Sequence, residues 1–119
     1  MPDQIEQVFI NILINAVDAI HADNQTQSQK PGKIIVKSAI SDEGVVITVQ
    51  DNGKGIPEET LPKIFEPFFT TKKVGEGTGL GLWVSYGIIK SFQGNINVES
   101  VEGRGTTFVI TLPLHSELS

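Results

Sequence analysis

Gly77-Thr78-Gly79-Leu80-Gly81-Leu82 places three glycines at alternate positions and runs directly into Leu82, Val84, Ile88, Ile89 and Phe92, the apolar face of a helix. A glycine-rich loop entering a helix presents unpaired backbone N–H groups and the positive end of the helix dipole to an anion. Glycine lets the backbone approach that anion where a side chain would stand in the way. The stretch reads as one half of a phosphate-holding site, and the other half has to come from elsewhere in the chain.

The chain has 119 residues, 39% of them hydrophobic and 19% charged, an ordinary globular balance that predicts one domain over 1–119 with a polar tail from 113. A net charge of -5 argues against a general nucleic-acid binder, so phosphate must be gripped locally. There is no cysteine, hence no disulfide, thiol nucleophile or cysteine zinc site. No apolar run reaches the length of a membrane span, and the N-terminus lacks a basic-then-apolar signal, so a cytoplasmic setting without direct membrane contact is expected.

Upstream, residues 3–22 carry Ile5, Val8, Phe9, Ile12, Leu13, Ala16, Ala19 and Ile20 on one helical face, while Ile10, Ile14 and Val17 extend the apolar character around it. Such a helix is expected to be largely buried. A polar strip of Gln7, Asn11, Asn15 and Asp18 runs between these flanks. Asn11 and Asn15, four apart, point the same way. They fit a helix–helix hydrogen bond or a solvated seam, but their aliphatic neighbours favour a half-buried pocket. Residues 22–33 read as a loop. Strands are predicted over 33–40 and 45–50, a short helix over 58–65, a long irregular loop over 65–78, and a helix from about 79 closing on Gly94 as its C′ glycine. Strands at 95–100 and 106–112 follow, joined by a turn at Glu102-Gly103-Arg104-Gly105. Two strand pairs with helices on one face predict an α+β two-layer sandwich.

Asp51 stands where a strand meets Asn52-Gly53-Lys54-Gly55-Ile56. Taken alone, Asp-Asn-Gly reads first as a turn; the functional alternative is a carboxylate accepting a hydrogen bond from an exocyclic amine. The familiar phosphate motifs are excluded. Gly77, Gly79 and Gly81 do not have dinucleotide spacing, there is no Walker-type element, and protein-kinase catalytic-loop residues are missing.

The remaining set of segments, taken in order, closely resembles the catalytic ATP-binding domain of bacterial sensor histidine kinases, within the superfamily shared with type II topoisomerases, MutL proteins and the large heat-shock chaperone. Gln7 to Ala19 (QVFINILINAVDA) resembles the N box, and Asp51 to Ile56 (DNGKGI) the first glycine box. Ile64 to Lys72 (IFEPFFTTK) resembles the F box, Gly77 to Leu82 (GTGLGL) the second glycine box, and Gly103 to Phe108 (GRGTTF) the last box. The resemblance spans residues 4–112. It implies a Bergerat-type sandwich with a mixed, mostly antiparallel sheet.

It further implies that Asn11 and Asn15 are the catalytic pair, Asn15 coordinating magnesium and Asn11 lying near the phosphates. Asp51 would bind the adenine amine with help from Thr106, and Gly53, Gly55 and Ile56 would line the base. Gly77, Thr78, Gly79, Leu80 and Gly81 would meet the phosphates. Lys72 or Lys73 would reach one too, although solvated loop lysines fit as well. Phe65, Phe68 and Phe69 would pack the base of the lid or form an interface. Many such kinases have a basic residue where Asp18 stands. The hydrolysing relatives have a glutamate base where Asn11 stands, and an amide cannot take a proton from water. Neither His21 nor His115 has the acidic-neighbour context of a phosphoacceptor.

The expectation is therefore a fragment of a longer kinase that uses ATP and magnesium to phosphorylate a histidine on a separate dimerisation domain, for onward transfer to a response regulator. Membrane anchoring of the parent stays open. A self-contained ATPase and a non-catalytic nucleotide-responsive module are the alternatives.

Overall fold

Two β-hairpins laid edge to edge make the sheet on which everything else rests. The computed structural model describes residues 2–26, 31–42, 44–66 and 81–113. In chain order these form helix α1 (Pro2–Thr26), strands β1 (Ile34–Ser41) and β2 (Gly44–Asp51), a 3-10 turn (Leu61–Lys63), helix α2 (Gly81–Ser91), and strands β3 (Asn95–Val101) and β4 (Gly105–Leu112). The spatial order is β1-β2-β4-β3, and all three pairings are antiparallel. Helix α1 packs on β2 and β4, α2 on β3, and the two helices on each other. This is the expected two-layer α+β sandwich.

The registers stack matching residues across three strands. Ile47, Ile110 and Ile96 form one row, and Val49, Phe108 and Val98 the next. Val8 and Ile12 of α1 and Ile89 of α2 press on these rows, each fully buried, and Ile64 plugs one end. Each such aliphatic side chain contributes about 1.5–3 kcal/mol by leaving water. Phe65 stacks at 5.3 Å from Tyr86 and edge-on at 6.5 Å from Phe108, so its role in the described structure is packing. Phe68 and Phe69 lie outside the described residues.

Four local expectations need correction. Helix α1 runs on to Thr26, through the first part of the loop expected over 22–33. Helix α1 is not largely buried: Ile10, Ile14 and Val17 are 49%, 52% and 55% exposed, and Leu13 also faces out. A two-layer fold gives α1 a sheet beneath and one helix beside it, which covers only about half its circumference. The short helix at 58–65 shrinks to the 3-10 turn, because Pro62 offers no N–H and the chain closes i→i+3 bonds instead, Lys63 N–H to Thr60 and Ile64 N–H to Leu61. Helix α2 ends one residue earlier than expected. Gln93, at φ 64°, is the left-handed C′ residue. Gly94 follows it and donates to the Ile89 carbonyl at 2.9 Å, while Gln93 donates to Lys90 at 3.0 Å.

Candidate nucleotide site

The polar residues sit at one end of the same stacked rows. Beyond Val49, Phe108 and Val98 the next row is Asp51, Thr106 and Ser100. Asp51 is 6% exposed and Thr106 4%. Asp51 makes the turn contact its sequence allows. Its Oδ1 accepts the Gly53 N–H at 2.8 Å, the i→i+2 bond of a turn. Its carboxylate also accepts the Thr106 N–H. Burial raises its pKa, and these two backbone bonds lower it again without cancelling the rise. An ionised carboxylate has about four lone-pair positions, so acceptor capacity remains for a ligand.

The turn after Asp51 is fastened on three sides. Lys54 N–H donates to Ala19 of α1 at 3.1 Å, and Gly103 N–H from the β3–β4 turn donates to Lys54 at 2.6 Å. Asn52 bonds the chain entering β1 through Lys33 N–H and the Pro31 carbonyl. Fold packing demands two of the glycines here. A Cβ on Gly53 would come within 2.6 Å of the Ala19 backbone. Gly55 has φ 74°, and its Cβ would strike the Val101 carbonyl. Ile56 is half-buried against the core, and its N–H donates to Ser100 Oγ at 2.8 Å.

On the helices, Asn11 forms the helix–helix bond. Its Nδ2 donates to the Gly81 carbonyl at 3.2 Å and to Ser85 Oγ at 3.1 Å, and its Oδ1 accepts from Gln7 at 2.9 Å. Fully buried Ser85 closes the set by donating to Gly81 at 2.9 Å. Asn15 donates Nδ2 to the Asn11 carbonyl at 2.9 Å, which leaves its Oδ1 available. Gly81 differs from Gly53 and Gly55: among the described residues the nearest atom to an added Cβ is Asn11 Cγ at 3.8 Å, so their packing does not require glycine there. Ala19 lies one turn beyond Asn15, so the helix face bearing Asn15 leads to the Asp51 turn.

The structure thus groups Asn11, Asn15 and Gly81, and separately Asp51, Gly53, Gly55, Ile56 and Thr106, with Ala19 joining the two groups. Lys72, Gly77, Thr78, Gly79 and Leu80 lie outside the described residues. Sequence reading missed Gln7 as a partner of Asn11, and also Asn52, Ser85 and Ser100. Counting outward from the expected turn at 102–105 would pair Ser100 with Thr107; the hairpin is one residue tighter, with Val101 opposite Gly105, and this sets Ser100 opposite Thr106.

A family model described as "Histidine kinase-, DNA gyrase B-, and HSP90-like ATPase" matches residues 1–116. The chain belongs to this family. Among its members, Sensor kinase CckA of Brucella abortus is 46% identical over 117 residues, covering 92% of this chain and 12% of that protein. Sporulation kinase E of Bacillus subtilis is 47% identical over 114 residues, covering 95% of this chain and 14% of that protein. The nucleotide-free catalytic domain of histidine kinase ThkA superposes with a TM-score of 0.73 at 39% identity, over 93% of this chain and 66% of that one. The chain therefore spans a small part of the length of the curated kinases it matches. The family and fold expected from the sequence are borne out. Among the described residues, no helix of this ATPase-family domain is long and apolar enough to cross a membrane.

The donor set fits the ligands the family implies. The Asp51 carboxylate suits an exocyclic amine, the open side of Gly81 suits a phosphate, and the Asn15 amide oxygen is a hard ligand suited to magnesium. Among the described residues, no three His, Cys, Asp or Glu side chains gather to hold a metal. A divalent ion here would share its coordination with phosphate oxygens and water.

Proposed function

We propose that this domain binds ATP with magnesium and presents the γ-phosphoryl group to a histidine on a separate dimerisation domain, from which it passes to an aspartate of a response regulator. The observation that carries the proposal is the buried Asp51 carboxylate with unspent acceptor capacity, beside Thr106 and at the end of the turn packed on α1. Ionised Asp51 accepts the adenine amine; Gly53, Gly55 and Ile56 border the base. Asn15 holds the metal, which neutralises phosphate charge when bound. Gly81 meets the phosphates, and the same role is assigned to Lys72, Gly77, Thr78, Gly79 and Leu80 from the family resemblance. The histidine nitrogen attacks the γ-phosphorus, the bond to the bridging oxygen breaks, and ADP leaves.

Catalysis in this scheme is positioning plus charge neutralisation, which is most of what phosphoryl transfer requires. Asn11 supports the kinase reading over a self-contained ATPase. It is an amide rather than a base, and its polar atoms are engaged with Gln7, Gly81 and Ser85. We place the domain in the cytoplasm, as a single folded unit over 1–119.

The test mixes the protein with histidine-bearing dimerisation domains and γ-labelled ATP. Label on the histidine, lost with Asp51→Ala, is the expected result. Tight ATP binding with no transfer to any acceptor would point instead to a nucleotide-responsive module. Steady phosphate release by the isolated chain would point to an ATPase.

A further inference from the structure

Thr106 is flanked on the sheet by Asp51 on β2 and Ser100 on β3. The Ser100 hydroxyl has one proton and two lone pairs. It meets three groups: the Ile56 N–H at 2.8 Å, the Gly105 carbonyl at 2.9 Å and the Thr106 hydroxyl at 2.8 Å. The Ile56 amide can only donate, and the Gly105 carbonyl can only accept. The Ser100 proton therefore goes to Gly105, and one lone pair goes to Ile56. Only a lone pair remains for Thr106, so Thr106 gives its own proton to Ser100. What Thr106 has left to offer a ligand is an acceptor, next to the carboxylate of Asp51.

We propose that Ser100 is a specificity-determining positioning residue: it holds the Thr106 hydroxyl in an acceptor-only state, so that Asp51 and Thr106 together select a base with an exocyclic amine over one with a carbonyl at that atom. The inference rests on reading the cleft as a nucleotide site. Adenine carries an amine at C6, and hypoxanthine carries an oxygen there. A buried oxygen facing two acceptors has no donor and loses its bonds to water without replacement. Without Ser100, the Thr106 hydroxyl can turn and donate to that oxygen, and part of the discrimination disappears. A purely structural Ser100, fastening Ile56 to the β3–β4 hairpin, would weaken binding of both nucleotides alike.

Calorimetric titration of the full chain with ATP and with inosine triphosphate, each with magnesium, separates the two. The ratio of the inosine triphosphate to the ATP dissociation constant is expected to fall about tenfold in Ser100→Ala and to keep its parental value in Ser100→Thr. Thr106→Val, which keeps the shape and removes the hydroxyl, lowers the same ratio and serves if Ser100→Ala does not fold. If the parent binds ATP and the ratio stays unmoved in Ser100→Ala and Thr106→Val, the role of Ser100 is overturned while the nucleotide reading survives. A parent chain that binds neither nucleotide overturns both.

Discussion

Asp51→Asn removes one buried charge while nearly preserving shape, and its consequences can be worked out from the structure. The side chain is 6% exposed, and burial raises its pKa above the ordinary 3.8. The folded protein thus keeps this proton at pH values where the unfolded chain has released it. Between 3.8 and the raised value the unfolded state binds fewer protons, so stability falls as pH rises, by up to about 1.4 kcal/mol per pH unit. The loss is absent below 3.8 and complete above the folded pKa. Asp51→Asn abolishes this titration, and every other carboxylate cancels in the difference between variant and parent. Urea unfolding followed by Trp83 fluorescence from pH 4 to 8 should give a variant-minus-parent stability that climbs through that window and is flat above it. The same substitution puts an amide N–H₂ among the acceptors meant for the adenine amine. Losing one bond to a charged acceptor costs about 1.5–3 kcal/mol, or about 10- to 150-fold in ATP affinity at pH 8. A pH-independent stability difference would refute the burial argument, and unchanged ATP affinity would refute the adenine assignment.

Asn15→Ala should leave the melting temperature nearly unchanged, because alanine is the better helix former at that position, yet erase the gain in ATP affinity that magnesium confers on the parent. Titrations with magnesium and with a chelator compare the two. Asn11→Ala and Ser85→Ala should each cost about 1 kcal/mol of unfolding free energy. Since their side chains are bonded at 3.1 Å, the double variant should cost less than the sum; additive costs in denaturant melts would mean that the bond contributes nothing.

What could be read from the sequence was periodicity and local chemistry. The alternation in 95–112 marks Ile96, Val98, Phe108, Ile110 and Leu112 as one inward face; all are buried except Val98, which is partly buried against the core. The 3.6-residue period put Val8, Ile12 and Ala16 on the inward face of α1, as found, but it also put Leu13 there, which is exposed. Periodicity reports which face is apolar, not what is available to cover it, so the exposure of Ile10, Ile14 and Val17 could not be foreseen. Asp51 taken alone read first as a turn residue, and its proposed ligand role came from the resemblance of DNGKGI to a glycine box. Ser85 and Ser100 escaped because a lone serine in a helix or strand has no local signature: Ser85 meets Asn11 from 74 residues away and Ser100 meets Ile56 from 44, while the nearer partner Thr106 is set by the hairpin register.

The placement of the site follows from the packing. Three antiparallel strands carry aligned apolar rows, and at the end of these rows the register delivers Asp51, Thr106 and Ser100 in place of a further aliphatic row. Polar groups shielded to this degree make hydrogen bonds that count for more than they would in water. The glycines divide by the same logic. Gly53 and Gly55 are dictated by the close approach of the turn to α1 and to the β3–β4 hairpin, so replacing them would distort the fold before it touched a ligand. Among the described residues, Gly81 has room beside it, and none of them makes glycine necessary there.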